Sequence, residues 1–201
     1  MIRLGITGGI GSGKSYVAAL LVQRGMPLYD TDSRAKQLAV SHPLIRKGLA
    51  DLLGKEVYAP DGSLNKPLLA SYLFSGEANA RKVNSIIHPC VFNDFLHWAE
   101  SLERKGCLLA GMESAILFES GFDRAVDKVL AVWAPEPLHI RRAMERDNAA
   151  EVQVRARMAA QDSDEEKRRK ADFVVVNDGD APLAPQIDRI LLSLVGRKEL
   201  R

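Results

Sequence analysis

The sequence predicts an α/β protein, a five-stranded parallel sheet with helices on both faces, on three observations. Residues 8 to 15, Gly8-Gly9-Ile10-Gly11-Ser12-Gly13-Lys14-Ser15, fit G-x-x-x-x-G-K-[ST] and stand between a strand-like and a helix-like segment. Short apolar runs at Met26-Pro27-Leu28-Tyr29, Cys107 to Met112, Lys128 to Ala134 and Phe173 to Val176 read as further, buried parallel strands. Between residues 33 and 105 strand signals nearly vanish, which marks a helical insertion between the second and third strands.

The first strand follows from the alternation of Ile2, Leu4 and Ile6, and the first helix from Val17, Leu20, Leu21 and Arg24, with Gly25 as its stop. Between them, glycines let successive backbone N–H groups point at one anion, and a helix starting near Gly13 adds the positive end of its dipole. Lys14 is placed to reach the β- and γ-phosphates of a nucleotide, and the Ser15 hydroxyl to ligate a Mg²⁺ shared with those oxygens. The alternative, a glycine-rich turn without a ligand, leaves the complete eight-residue pattern unexplained.

The second strand ends at Asp30-Thr31-Asp32. Open α/β sheets bind ligands outside the carboxyl ends of their strands, so Asp30 and Asp32 are candidates for handling a substrate hydroxyl. Equally, Asp32 fits the N-cap of a helix over Ser33 to Val40. Within the insertion, Ser63 is read as the cap of a helix from Leu64 to Leu73, followed by one over Glu77 to Ile87 and a long one from Pro89 to Lys105. His88-Pro89 between the last two reads as punctuation, because proline suits the first helical position and disfavours helix in the residue before it.

The third strand ends at Glu113, where a carboxylate can support the hydration shell of a metal as a Walker-B residue does. The fourth is closed by Pro135 and Pro137, the fifth by Asn177-Asp178-Gly179, and Leu183 to Val195 supplies a last amphipathic helix with Ile187, Ile190, Leu191 and Leu194 inward. Residues 141 to 170 hold seven Arg, two Lys and seven acidic residues, so they are not a basic tail. Arg142 with Arg146, and Arg157 with Gln161, each stand four apart on what would be one helix face. A solvated helical hairpin would account for this; beside a phosphate loop, a lid that lays arginines on the transferring phosphate accounts for it better.

Composition excludes several classes. A chain of 201 residues with 46% hydrophobic and 27% charged residues is globular, and a formal charge of +2 does not suit a nucleic-acid partner. Cys90 and Cys107 have no metal-ligand spacing and read as two reduced thiols of a cytoplasmic protein. No apolar run reaches transmembrane length, and Met1 leads straight into the first strand rather than into a leader.

Taken together these stretches resemble the dephospho-coenzyme A kinase family. The opening Gly5-Ile6-Thr7-Gly8-Gly9-Ile10-Gly11-Ser12-Gly13-Lys14-Ser15 is similar to that family's first motif, and Asp30-Thr31-Asp32 stands at its D-A-D. Arg81 followed by Ile87-His88-Pro89 and Val91 resembles R…I-x-H-P-x-V. Arg142 with Arg146-Asp147 resembles R-x-x-x-R-D, Arg157-Met158-Ala159-Ala160-Gln161 resembles R-I-A-A-Q, and Ala171-Asp172 with Asn177-Asp178-Gly179 matches the ending A-D-x-V-I-x-N-x-G. The correspondence runs from residue 2 to about 195. It departs at Glu113-Ser114-Ala115-Ile116-Leu117-Phe118-Glu119, where the family usually has D-V/A-P-L-L-F-E; Glu113 is one methylene longer than Asp, and the loop lacks the stiffening proline.

The resemblance implies a P-loop, nucleoside-kinase-like fold with a core of residues 1–32, 106–135 and 171–201, a helical acceptor-binding insertion at 33–105 and a lid at 136–170. It implies ATP-dependent phosphorylation of the ribose 3′-hydroxyl of dephospho-CoA, giving CoA and ADP, by a cytoplasmic monomer or weak homo-oligomer with Mg²⁺. ATP would contact Gly8, Gly9, Gly11, Ser12, Gly13, Lys14, Ser15, Tyr16, Arg142, Asn177 and Gly179. The acceptor would meet Asp32, Arg81, His88 and Glu113, with Asp32, Lys14 and Arg142 catalytic and Asp30 structural. Two rivals remain: a kinase for another small acceptor such as a nucleoside monophosphate, and a nucleotide switch. The switch lacks a guanine-reading N-K-x-D, since Asn65-Lys66 runs into Pro67-Leu68 inside the insertion.

Overall fold

Strict alternation makes Ile2–Thr7 the first strand (β1), with Leu4 and Ile6 buried on one face. The computed structural model describes residues 1–196; the last five residues of the expected core segment 171–201 lie outside them. After the phosphate loop, α1 (Lys14–Gln23) turns Val17, Ala18 and Leu21 onto that same face and stops at Gly25, whose φ of 86° suits glycine. The other strands are β2 (Leu28–Asp30), β3 (Leu109–Glu113), β4 (Lys128–Trp133) and β5 (Phe173–Val176). All pair in parallel in the order β2-β3-β1-β4-β5, as the sequence predicted for a five-stranded parallel sheet.

That order puts β1 in the middle, with the chain running to one side through β2 and β3 and to the other through β4 and β5. The phosphate loop therefore leaves the sheet at its switch point, where a crevice opens beyond the strand ends. Register aligns the carboxyl ends: Ile6 of β1 faces Glu113 of β3, which faces Asp30 of β2. The last helix, α9 (Leu183–Val195), buries Ile187, Ile190 and Leu191 with Leu4, Ile6, Val17, Leu21, Leu130 and Val175 in one cluster. Leu130 is at its centre, 1% exposed. Leu130→Ala is expected to lower unfolding free energy by about 2–5 kcal/mol, measured by denaturant titration; a loss under about 1 kcal/mol would mean that the cluster collapses around the gap.

The chain divides into two compact units, one of Met1–Asp30 and the chain from Ala99 onward, the other Thr31–Trp98. The second contains α2 (Thr31–Ser41), α3 (Pro43–Leu53), α4 (Lys66–Phe74) and most of α5 (Glu77–Glu103). Three expectations are corrected here. Asp32 is not an N-cap: α2 already begins at Thr31, so Asp32 sits in its first turn, where a carboxylate favours the dipole instead. Ser63 is not the cap of α4; Asn65 is, its side chain accepting from the Leu68 N–H at 3.2 Å. The two helices expected to meet at His88-Pro89 are one helix of 27 residues with Pro89 inside it. Proline there removes the hydrogen bond to the Ser85 carbonyl. Continuity is favoured by a stripe at four-residue spacing, Val83, Ile87, Val91, Phe95 and Ala99, of which all but Ile87 are buried.

In the first unit, the charged region forms α6 (Glu136–Asp147), α7 (Glu151–Ala159) and α8 (Asp164–Lys170). Because α7 ends at Ala159, Arg157 and Gln161 do not share a helix face. Ile140, Ala143 and Val154 form a small core of α6 and α7, and Ile10 of the phosphate loop packs against it.

Candidate active site

The phosphate loop is shaped by close neighbours. Gly11 and Gly13 have φ of 82° and 86°, and a Cβ at either would strike something fixed: the His139 carbonyl at Gly11, the Asn177 side-chain amide at Gly13. Only glycine meets both the backbone conformation and the space. The Asn177 amide donates to the Ser12 carbonyl at 2.8 Å, and the Arg142 guanidinium donates to the Asn177 carbonyl at 2.9 Å. Three segments expected to surround the nucleotide, the loop, α6 and the end of β5, are thus tied together.

Glu113 reaches the same place from β3. Its Oε1 accepts from Lys14 Nζ at 2.5 Å and from the Ser15 hydroxyl at 2.7 Å, with both charged side chains mostly buried. Lys14 and the Ser15 hydroxyl therefore share one carboxylate. Among the described residues no group of three or more His, Cys, Asp and Glu is arranged to hold a metal by itself. The donor set here suits a divalent ion held mainly by nucleotide phosphates, with the Ser15 hydroxyl as ligand and the Glu113 carboxylate beside it.

Of the other expected donor-site residues, Tyr16 is exposed on the first turn of α1, and Gly179 lies in open space with φ of 101°. In the first unit, Arg146 and Arg157 both pair with Asp147, at 2.8 Å each.

The acceptor candidates Asp32, Arg81 and His88 fall in the second unit. Arg81 and His88 are seven residues apart on α5 and so share a face two turns apart. Arg81 is exposed and pairs with Glu77 one turn back, at 3.1 Å. His88 is half-buried, and that burial pushes its imidazole below the ordinary histidine range. Asp32 opens α2, and Arg34 two residues later clamps α2 to α5 by a bidentate pair with Asp94, at 2.7 and 3.0 Å. Neither Arg34 nor Asp94 stands out in the sequence, for their pairing spans sixty residues.

Two more groups escaped the sequence reading. Lys167 of α8 is buried, donating to the Ala115 carbonyl at 3.0 Å and pairing with Glu119 at 3.1 Å, which anchors α8 to the loop after β3. Asp164, the first residue of α8, accepts from the Gly9 N–H at 3.2 Å. One local signal was available: Ser163 and Glu166 form a capping box, an S-x-x-E pattern that fixes where α8 starts.

Comparison with known proteins gives the family and agrees with the fold. A family model described as dephospho-CoA kinase matches residues 2–182. A dephospho-CoA kinase of Bacteroides fragilis is 50% identical over 194 residues, covering 96% of this chain and 93% of that protein. A crystal structure of a Thermus thermophilus protein superposes with TM-score 0.81 at 32% identity, covering 96% and 97% of the two chains. The structure of a dephospho-CoA kinase from Campylobacter jejuni shares the fold at TM-score 0.70 and 21% identity, covering 95% and 96%.

Proposed function

The chain belongs to the dephospho-CoA kinase family and phosphorylates dephospho-CoA at the expense of ATP, the last step of coenzyme A synthesis, and we propose that Lys14, Asp32 and Arg142 carry the transfer to the ribose 3′-hydroxyl. The carrying observation is the Lys14–Glu113–Ser15 set at the mouth of the phosphate loop. It supplies what a triphosphate requires, namely a cation, a metal-ligating hydroxyl and a carboxylate to organise both.

On this reading the loop N–H groups and α1 hold the triphosphate, and Lys14 leaves Glu113 to meet the β- and γ-oxygens. Glu113, tied to the donor side through Ser15, then meets the acceptor. Mg²⁺, when bound, neutralises charge on the β/γ oxygens. Asp32, just past the carboxyl end of β2, orients the acceptor hydroxyl and takes its proton, while Arg81 and His88 bind the acceptor from the helical insertion. Arg142 stabilises charge on the transferring group, with α6 to α8 as the lid, and Asn177 and Gly179 line the adenine. Little covalent work falls to the protein, so the rate comes from alignment and electrostatics.

The same reading puts the enzyme in the cytoplasm, as a monomer or weak homo-oligomer without nucleic-acid or membrane partners. Two free thiols, Cys90 and Cys107, are consistent with a reducing compartment, and no helix among the described residues is long and apolar enough to cross a membrane.

An acceptor panel tests the substrate. With Mg·ATP fixed, ADP release should favour dephospho-CoA over AMP and CMP by at least about 10²-fold in kcat/KM, as for sites that hydrogen-bond their substrate. A clear preference for AMP would make this a nucleoside monophosphate kinase instead.

A further inference from the structure

The first half of the phosphate loop is gripped from the lid region, and the grip converges on Asp164. One carboxylate oxygen accepts from the Gly9 N–H at 3.2 Å; the other lies 3.3 Å from Nδ1 of His139. His139 is wholly buried on α6, and its own carbonyl closes the space over Gly11. Between these two glycines, Ile10 packs into the apolar cluster of α6 and α7. Three consecutive loop residues are thus each met by a different feature of residues 136–170.

The carboxylate is held from its own side as well. The Ser163–Glu166 capping box fixes the first turn of α8, and buried Lys167, three residues on, anchors that helix to the Ala115 carbonyl and Glu119. Neither ring nitrogen of His139 has a hydrogen-bond partner among the described residues, so Nδ1 meets Asp164 as a close polar contact at 3.3 Å. Burial depresses its pKa, Asp164 and Glu136 oppose that, and Arg142 and Lys167 reinforce it. Burial favours a neutral ring, whose Nδ1 can donate to a carboxylate in one tautomer and accept from an amide in the other.

We propose that Asp164, oriented by His139, is a positioning residue for the donor: it fixes the Gly9 N–H, and through it the entry half of the phosphate loop, in the conformation that receives the triphosphate. The back half is already fixed by Asn177 on Ser12 and by Glu113 on Lys14 and Ser15. Without Asp164 the entry half keeps only the packing of Ile10 and the His139 carbonyl over Gly11, and ordering the Gly9 N–H is charged against ATP binding. Asp164 touches neither the acceptor candidates nor the γ-phosphate ligands identified above, so its loss is felt in donor affinity rather than in acceptor affinity.

This inference rests on the phosphate loop being the ATP site, and the experiment separates the two. Mg·ATP is titrated calorimetrically into the native chain, D164A and D164N without acceptor, and steady-state rates are then measured with dephospho-CoA. D164A should raise both Kd and KM for ATP by about tenfold, the loss carried by one hydrogen bond to a charged group, and leave KM for dephospho-CoA within about twofold. D164N, which keeps an oxygen to accept from the Gly9 N–H and turns an amide N–H toward Nδ1 of a neutral His139, where that nitrogen accepts, should stay within about threefold of native. Equal ATP affinity in D164A and the native chain would overturn the positioning role while leaving the ATP site intact, as would a lowered melting temperature with no change in Kd. Failure of the native chain to bind Mg·ATP would sink both readings.

Discussion

Replacing Asp32 by Asn is expected to lower turnover by about 10²- to 10⁴-fold, the usual range for removing a general base, while Mg·ATP binds almost as before. The substitution is nearly isosteric and the side chain is exposed, so no core is disturbed. The position of its charge in the first turn of α2 contributes about 0.3–1 kcal/mol to stability, which the near-isosteric amide gives up. The two roles therefore separate cleanly. A single-turnover assay with saturating Mg·ATP reads the first, and a thermal melt the second. Turnover within about threefold of native, with a slightly lowered melting temperature, would return Asp32 to a helix-terminus role and leave the proton acceptor to be sought elsewhere.

Lys14→Met should cost about 10³-fold or more in kcat/KM, since it removes a cation aimed at the oxygens where charge accumulates. It has a second effect that the loop motif alone would not suggest. Lys14 Nζ and Glu113 form a pair largely withdrawn from solvent, at 13% and 9% side-chain exposure. Removing the cation strands the carboxylate, and breaking a buried pair from one side costs about 3–5 kcal/mol. The Ser15 hydroxyl, which still donates to Glu113, offsets part of that. Adding Glu113→Gln should recover most of the stability and none of the activity. Melting temperatures and ADP release measured on the single and double variants check this. If Lys14→Met kept turnover within tenfold, the lysine would be a counter-ion to Glu113 and nothing more.

The donor side was legible in the sequence, and for a local reason. Its central motif lies within residues 2 to 15: glycines where φ must be positive, Lys14 and Ser15 at the helix start, and an alternating strand before them. The strands were legible too, because burial on both faces forces unbroken apolar runs. Glu113 was identified as a strand-end carboxylate, but its partners were not, because Lys14 is 99 residues away and no local pattern links them. The acceptor candidates came from motif resemblance rather than from periodicity, and Arg34 with Asp94, which brace the helices carrying them, left no trace in either.

Sequence by itself determined the phosphate loop, the five strands, the first and last helices and the family, since each is written in short-range spacing or in contiguous motifs. Tertiary structure alone decided the rest. It settled the strand order, which depends on pairing between distant segments. It carried α5 through Pro89, because an apolar stripe buried on both sides of that proline outweighs one lost backbone hydrogen bond. And it brought Asp164 to Gly9 across 155 residues, with His139 behind it, a contact between groups whose only common property is the place to which the folded chain delivers them.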